Sequence, residues 1–277
     1  MKISILGYGA FGSALGSRLS LKGHTLYKEE IKDSDIIVVA VPSFVVMDVL
    51  ISHRSEILNQ EIIICSKGFN KNGELFSEAL EREFPNNKIY FLYGPALAEE
   101  LMNGVFTIMV LAGGEGKEEL KKQIEVDNLI IELSDDVIGV QVGSALKNTV
   151  AIFIGIVEGA GLGENTQSFV YSKGLQEIQK LGVCLGAKPD TFLGYTCAGD
   201  LFLKSRNRIL GIEIGKGRTL EEVSKEIIYP KEGIETLKNV LEIKNGTVDL
   251  LFFQLINSVI FKNMKVEDAV NKLAELI

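Results

Sequence analysis

The first half of the chain alternates short apolar runs with amphipathic stretches. Residues 2–6 (KISIL) form a β-rich run that stops at Gly7, and residues 9 to about 22 read as a helix with Ala10, Ala14 and Gly16 on its packing side. Residues 24–28 predict a second strand. Residues 36–41 (IIVVAV) are continuous and mostly β-branched, the pattern of a strand buried on both faces, and Pro42 ends the run. A helix at about 44–57 leads to an apolar strand at 62–65, and a polar helix at about 73–84 leads to a strand at 88–92. Residues 105–111 and 128–133 supply two more strands, and the Lys/Glu-rich stretch near 115–125 reads as a solvated helix face. Alternating strands and helices predict an α/β doubly wound parallel sheet.

After Ser134 the texture changes. Strand-like runs become rare and the 3.6-residue period takes over. It predicts helices near 136–160, 165–186, 206–215, 219–227, 232–243, 248–261 and 266–276, with Leu250, Leu251, Phe253 and Leu255 facing a core. The expected organisation is a sheet domain over 1–134 followed by an all-α domain over 135–277, a size that suits two ordinary domains. Internal repeats and flexible linkers are absent from the pattern.

Composition narrows the function classes. The net charge of −8, without a dense Lys/Arg run, disfavours nucleic acid and membrane surfaces as partners. The chain has only two histidines, and its cysteines, Cys65, Cys184 and Cys197, show no CxxC spacing, so no metal site is expected. Free thiols, an N-terminus that starts as a strand and the lack of an obvious membrane-length apolar run point to a cytoplasmic protein.

Gly7-Tyr8-Gly9-Ala10-Phe11-Gly12 is a G-x-G-x-x-G pattern. The first glycine permits a tight turn, the second lets a pyrophosphate approach the backbone, and the third lets helix pack on strand. The motif is weak alone, but here it follows a predicted strand and opens a predicted helix, the context of a Rossmann-type NAD or NADP site. Tyr27-Lys28-Glu29-Glu30 ends the second strand. Glu29 argues for NAD and Lys28 for NADP, leaving the preference open. Only Glu29 to Asp35 separates this strand from the next, whereas a crossover helix needs about a dozen residues. The second crossover is therefore truncated, and the adenosine side of the site is expected to be more open than usual.

Three further islands carry chemistry: Ser66-Lys67-Gly68-Phe69 after a buried strand, Gly143-Ser144-Ala145-Leu146-Lys147-Asn148 in the first long helix, and Gly199-Asp200-Leu201 followed by Ser205-Arg206-Asn207-Arg208. A lysine on an apolar helix that lines a cleft loses hydration, which lowers its pKa toward a value useful for proton transfer, and Lys67 nearby would lower it further. Bland roles compete with each island. Lys147 could snorkel to the surface, Asp200 could cap a helix, Lys67 and Arg206 could be solvated surface charges, and Glu232 could be a first-turn acid favoured by the helix dipole. Cys65 and Cys197 suit packing better than nucleophilic chemistry.

The ordered islands resemble the NAD(P)-dependent glycerol-3-phosphate dehydrogenases of the bacterial and archaeal type. The likeness runs from the glycine motif through SKGF, Gly94-Pro95-Ala96-Leu97-Ala98, GVQVGSALKN, GAGLGEN and SRNR to Glu232-Gly233, across essentially the whole chain. It implies interconversion of sn-glycerol 3-phosphate and dihydroxyacetone phosphate, a place in glycerophospholipid metabolism, and a homodimer. It implies Lys147 as proton donor and acceptor, with Lys67 and Asp200 beside it. Lys67, Gly94, Lys147 and Asp200 would contact the substrate, and Ser205, Arg206 and Asn207 would grip its phosphate. Gly7, Gly9, Ala10, Phe11, Gly12, Lys67, Ala98, Arg206 and Glu232 would contact the cofactor. Three departures stand out: Ala96 where the family carries Ser or Thr, a shortened segment between Asp200 and Ser205, and the truncated crossover. The first two keep open a two-domain dehydrogenase of another hydroxy or keto acid; a dinucleotide-binding sensor without turnover is a third reading, against which intact Lys67, Lys147, Asp200 and Arg206 argue.

Overall fold

The computed structural model describes residues 1–226, 232–242 and 250–275. Seven strands form one sheet: β1 (Lys2–Leu6), β2 (Thr25–Lys28), β3 (Ile36–Val39), β4 (Glu61–Ile64), β5 (Ile89–Tyr93), β6 (Thr107–Gly113) and β7 (Leu129–Ser134), in the order β2-β1-β3-β4-β5-β6-β7. β3 is fully buried on both faces, as its unbroken IIVV run requires. Such burial is worth about 1.5–3 kcal/mol per side chain and anchors the middle of the sheet.

Helices cover both faces: α1 (Ala10–Ser20), α2 (Val46–Ser52), α3 (Phe76–Glu83), α4 (Ala98–Met102) and α5 (Lys117–Ile124). One face of the sheet packs with α2 and α3 around Leu6, Val39, Leu50 and Phe76. The other packs with α1 and α5 around Ile5, Leu15, Leu111 and Leu120.

Two connections depart from a simple parallel array. β5 and β6 pair antiparallel, with Tyr90 opposite Gly113, while β6 and β7 run parallel to each other. Helix α4 alternates with the strands in sequence and so suggests a crossover. In space it belongs to a connection that leaves and re-enters the sheet at one edge, which antiparallel strands allow. The stretch between β2 and β3 is truncated, as its length demands. No helix forms there, and Ile31 is its buried anchor among Leu6, Ile37 and Val39.

The remainder of the described chain is helical: α6 (Val137–Gly159), α7 (Gly163–Cys184), α8 (Asp200–Phe202), α9 (Arg206–Gly215), α10 (Leu220–Glu226), α11 (Glu232–Glu242), α12 (Leu251–Phe261) and α13 (Val266–Ala274). Parts of the expected helices at residue 227, at 243, at 248–249 and at 276 lie outside the described residues. A 3-10 turn at Pro189–Leu193 and a π-helical turn at Tyr195–Gly199 lack a clear sequence signal and appear only in the structure.

Helix α6 organises this half. Asp136 caps it, accepting from the Gly139 N–H at 2.9 Å. Contrary to the sequence expectation, its run is long and apolar enough to cross a membrane, with a mean hydropathy of 1.5, yet 89% of that window is buried inside the protein. Scattered Gly, Ser, Thr and Asn and the lone Lys147 disguise the run without lowering its average much. α9 crosses α6 at close range because glycines face each other. A side chain added at Gly155, Gly159, Gly211 or Gly215 would collide with the backbone of the opposite helix.

Candidate active site

The parallel strands deliver their loops to one edge of the sheet, where an α/β fold places its ligands. Gly7 follows β1, Val41-Pro42 follows β3, Cys65-Ser66-Lys67 follows β4, and Gly94 follows β5. The helical half closes over this edge. Its contributions are Asn148 from α6, Ser205 and Arg206 at the start of α9, and Glu232 at the start of α11. Between them lies a cavity of about 870 Å³, whose lining includes Ala10, Phe11, Lys67, Ala96, Ala98, Ser205, Arg206 and Glu232.

A triad of charges sits at the inner wall. The Lys67 ammonium donates to Asp200 Oδ2 at 2.6 Å and to the Gly94 carbonyl at 2.9 Å. Lys147 Nζ stands 3.0 Å from Asp200 Oδ1. Lys147 and Asp200 are each only 3% exposed. Lys147 does not snorkel to the surface, and the Asp200 carboxylate is engaged by two lysines rather than spent on a helix cap.

Local sequence explains the placement. Gly143 precedes Lys147 by one helical turn and so shares its face. A Cβ there would come within 2.9 Å of Cys197 Cβ, so glycine admits the π-helical turn against α6. Ser144 donates to the Thr196 carbonyl at 3.3 Å, and Tyr171 of α7 donates to the Ala198 carbonyl at 2.9 Å. These contacts hold the turn that ends at Asp200. Gly94 is equally constrained: a Cβ there would lie 2.7 Å from the Ile108 carbonyl oxygen.

Burial pushes the Lys147 ammonium below its ordinary value of 10.5. Asp200 pulls it back up, Lys67 pushes it further down, and the net direction is down. Burial alone would raise the Asp200 carboxyl, but the Lys147 and Lys67 ammonium groups outweigh it and hold the group below 3.8. Burial raises Glu232 above 4.5. Burial pushes the Cys65 thiol up to about 12 and raises Cys197 as well, so both behave as packing groups.

The opposite wall has unspent polar atoms. Ser205 precedes α9 with no side-chain capping bond, and its Oγ is buried without a partner. Asn207 Oδ1 is likewise buried and unpartnered. Leaving such an atom unpaired costs about 1–3 kcal/mol, and Ser205, on the cavity lining, can recover that cost by donating to a ligand. Arg206 lines the cavity, and its side chain makes no ion pair or hydrogen bond among the described residues. A helix start carrying a guanidinium, a hydroxyl and an amide suits an anion.

The glycine loop meets the geometric demands of a dinucleotide site. A Cβ at Gly9 would find nothing within 4 Å, so the space above the start of α1 is open. A Cβ at Gly12 would collide with the Gly7 carbonyl oxygen, so this glycine serves strand–helix packing. The residues present therefore fit a pyrophosphate over Gly9 at the α1 N-terminus.

Of the residues singled out from sequence, Ala10, Phe11, Lys67, Ala98, Ser205, Arg206 and Glu232 line the cavity. Lys147, Asp200 and Gly94 lie one layer behind, joined to it through Lys67. Asn207 lies behind Arg206, against Gly233. Asn148, part of the lysine island but without a role of its own in the sequence reading, is buried and lines the cavity with Glu232. Its signal was adjacency to Lys147. Sequence reasoning passed over Glu99, Glu100 and Asn103, whose place in the lining depends on how α4 packs.

Comparison with known proteins agrees with this architecture. Residues 136–271 match the family described as NAD-dependent glycerol-3-phosphate dehydrogenase C-terminus, and residues 25–119 match its N-terminus. A glycerol-3-phosphate dehydrogenase (NAD(P)+) of Clostridium perfringens is 32% identical over 321 residues, covering 99% of this chain and 97% of that protein. One from a Thermoanaerobacter species is 32% identical over 319 residues, covering 99% and 96%. These alignments run longer than the 277 residues of this chain, so the relatives carry insertions that it lacks. In fold, the chain is similar to the solved glycerol-3-phosphate dehydrogenase of Coxiella burnetii, with a TM-score of 0.93 at 24% identity over 99% of this chain and 98% of that one. With identity above 30% across nearly its full length, the chain belongs to the NAD-dependent glycerol-3-phosphate dehydrogenase family.

Proposed function

We propose that the protein interconverts sn-glycerol 3-phosphate and dihydroxyacetone phosphate with NAD or NADP as hydride carrier. The observation that carries this reading is the Lys67–Asp200–Lys147 triad, which reaches through Lys67 a cavity that Ser205 and Arg206 also line.

The nicotinamide supplies hydride transfer, and the protein supplies orientation, a proton and electrostatic support. Gly7, Gly9 and Gly12 shape the loop, Ala10, Phe11 and Ala98 form the wall beside it, and Glu232 faces the same space. Ser205, Arg206 and Asn207 bind the substrate phosphate and so set its carbon end against the triad. Lys147, its pKa lowered by burial, gives a proton to the carbonyl oxygen during reduction and takes it back during oxidation. Asp200 stays ionised and fixes both lysines. Lys67, held by Asp200 and the Gly94 carbonyl, stabilises the developing alkoxide with its fixed positive charge.

The Ser205 hydroxyl, a donor without a partner, and the Arg206 guanidinium beside it on the cavity lining favour a phosphorylated substrate over a plain hydroxy or keto acid. We assign cofactor binding to residues 1–134 and substrate binding and catalysis to residues 135–277. The family resemblance supports a homodimer and a role in glycerophospholipid metabolism. Free cysteines and the acidic charge suit the cytoplasm. Sedimentation of the purified protein tests the dimer.

The decisive assay supplies dihydroxyacetone phosphate with each reduced cofactor and follows loss of the nicotinamide absorbance. Turnover with at least one cofactor is expected. Cofactor binding without any turnover would leave a sensor, and turnover only with unphosphorylated substrates would move the assignment to another dehydrogenase.

A further inference from the structure

At the outer edge of the sheet, Glu29 carries a carboxylate that stands apart from the Lys67–Asp200–Lys147 triad. Glu29 is the first residue after β2. Its N–H continues the strand ladder, donating to the Ile5 carbonyl at 2.9 Å. Its φ of +56° then puts the backbone in the left-handed region, which a glutamate occupies only where its surroundings hold it. Those surroundings are the glycine loop. The Gly7 N–H donates to Glu29 Oε2 at 3.1 Å, and the Tyr8 N–H donates to Oε1 at 2.6 Å.

The truncated crossover fixes the backbone that carries this carboxylate. Beyond Glu29 the chain is pinned by buried Ile31. It is pinned again at Asp35, whose N–H donates to the Lys2 carbonyl at 2.8 Å and whose Oδ2 accepts from the Lys2 N–H at 2.8 Å. The neighbouring cations do not gather into an anion site. Lys28 lies over the Tyr8 ring, 4.4 Å from its centroid, and Lys32 is paired with Glu30 at 2.7 Å.

In a dinucleotide-binding βαβ unit, the end of the second strand faces the adenosine ribose. We infer that Glu29, held by both oxygens on the glycine loop, makes this protein prefer NAD to NADP. The inference rests on the dehydrogenase reading and sharpens its cofactor. Each carboxylate oxygen uses one lone pair on a backbone N–H and keeps capacity to accept from a ribose hydroxyl. A 2′-phosphate at the same place brings its negative charge against a carboxylate held on two backbone N–H groups. The exposed Lys28 ammonium is a single charge opposite Glu29 and Glu30 and does not cancel that repulsion.

The test is calorimetric binding of NADH and NADPH to the full chain, at low and high salt. It needs no turnover. NADH binds at least about tenfold more tightly than NADPH at low salt, and the gap narrows as salt screens the exposed charges. Glu29→Gln keeps the side-chain length and removes the charge, which brings the two affinities to within about threefold. Equal affinities in the unaltered protein, tighter NADPH binding, or an unchanged ratio in Glu29→Gln overturns the inference. If the variant does not fold, the unaltered protein's ratio and its salt dependence decide alone. Binding of neither cofactor overturns the dehydrogenase reading as well. Preference for NADPH with turnover of dihydroxyacetone phosphate overturns this inference alone.

Discussion

Replacing Lys147 by methionine separates catalysis from stability because of how the triad distributes charge. Lys67, Lys147 and Asp200 together carry one net positive charge in a buried place. Lys147→Met removes an ammonium that is 3% exposed, together with its desolvation cost, and puts a flexible apolar chain in the same apolar helix. Asp200 is not orphaned, because Lys67 still donates to it at 2.6 Å. The stability change is therefore expected to stay within about 1.5 kcal/mol in either direction, the range of volume-conserving core exchanges. Turnover should behave differently. Loss of a positioned general acid costs about 10²- to 10⁴-fold, or roughly 3–5 kcal/mol of barrier. The assay pairs urea denaturation with reduction of dihydroxyacetone phosphate, and calorimetry checks that the cofactor still binds. Turnover within tenfold of the parent would show that the proton comes from elsewhere. A collapse in stability with proportionate loss of activity would make Lys147 a structural counter-ion.

Other substitutions probe the same geometry. Asp200→Asn leaves two facing ammonium groups without their carboxylate and should cost about 3–5 kcal/mol in denaturant unfolding, far more than Lys147→Met; equal costs would refute the charge argument. Lys147 also sets a pH dependence. Its folded pKa lies below the 10.5 of the unfolded chain, so between those values the unfolded state holds the extra proton and stability rises with pH. Unfolding free energies across alkaline pH should lose that rising component in Lys147→Met. Gly9→Ala places its methyl in open space, so the melting temperature should hold while cofactor affinity falls about tenfold or more. Gly12→Ala strikes the Gly7 carbonyl and should lower the melting temperature instead. Gly211→Ala, colliding with Ile152 on α6, should destabilise by about 1–3 kcal/mol or more, and a neutral result would mean that α9 can move away from α6.

Much of this protein is legible in one dimension because local rules govern it. The IIVV run declares a strand buried on both faces, the spacing of Gly7, Gly9 and Gly12 declares a turn that packs a helix and admits a ligand, and the change of period after Ser134 declares a helical half. The brevity of 29–35 even shows that a crossover helix is missing. Lys67, Lys147, Asp200 and Arg206 stood out as charges beside apolar runs, but their grouping depends on chain segments far apart in sequence. Only the packed structure sets one Asp200 oxygen on Lys67 and the other on Lys147. The antiparallel turn between β5 and β6, the burial of the membrane-like α6 and the cavity place of Asn148 are likewise products of packing. The same holds for Glu29. From sequence it balances Lys28 and leaves the cofactor undecided. In the fold its carboxylate is bonded to the loop while the lysine lies over an aromatic ring, because pairing of β2 beside β1 brings a strand end and a glycine turn, distant along the chain, within hydrogen-bonding reach.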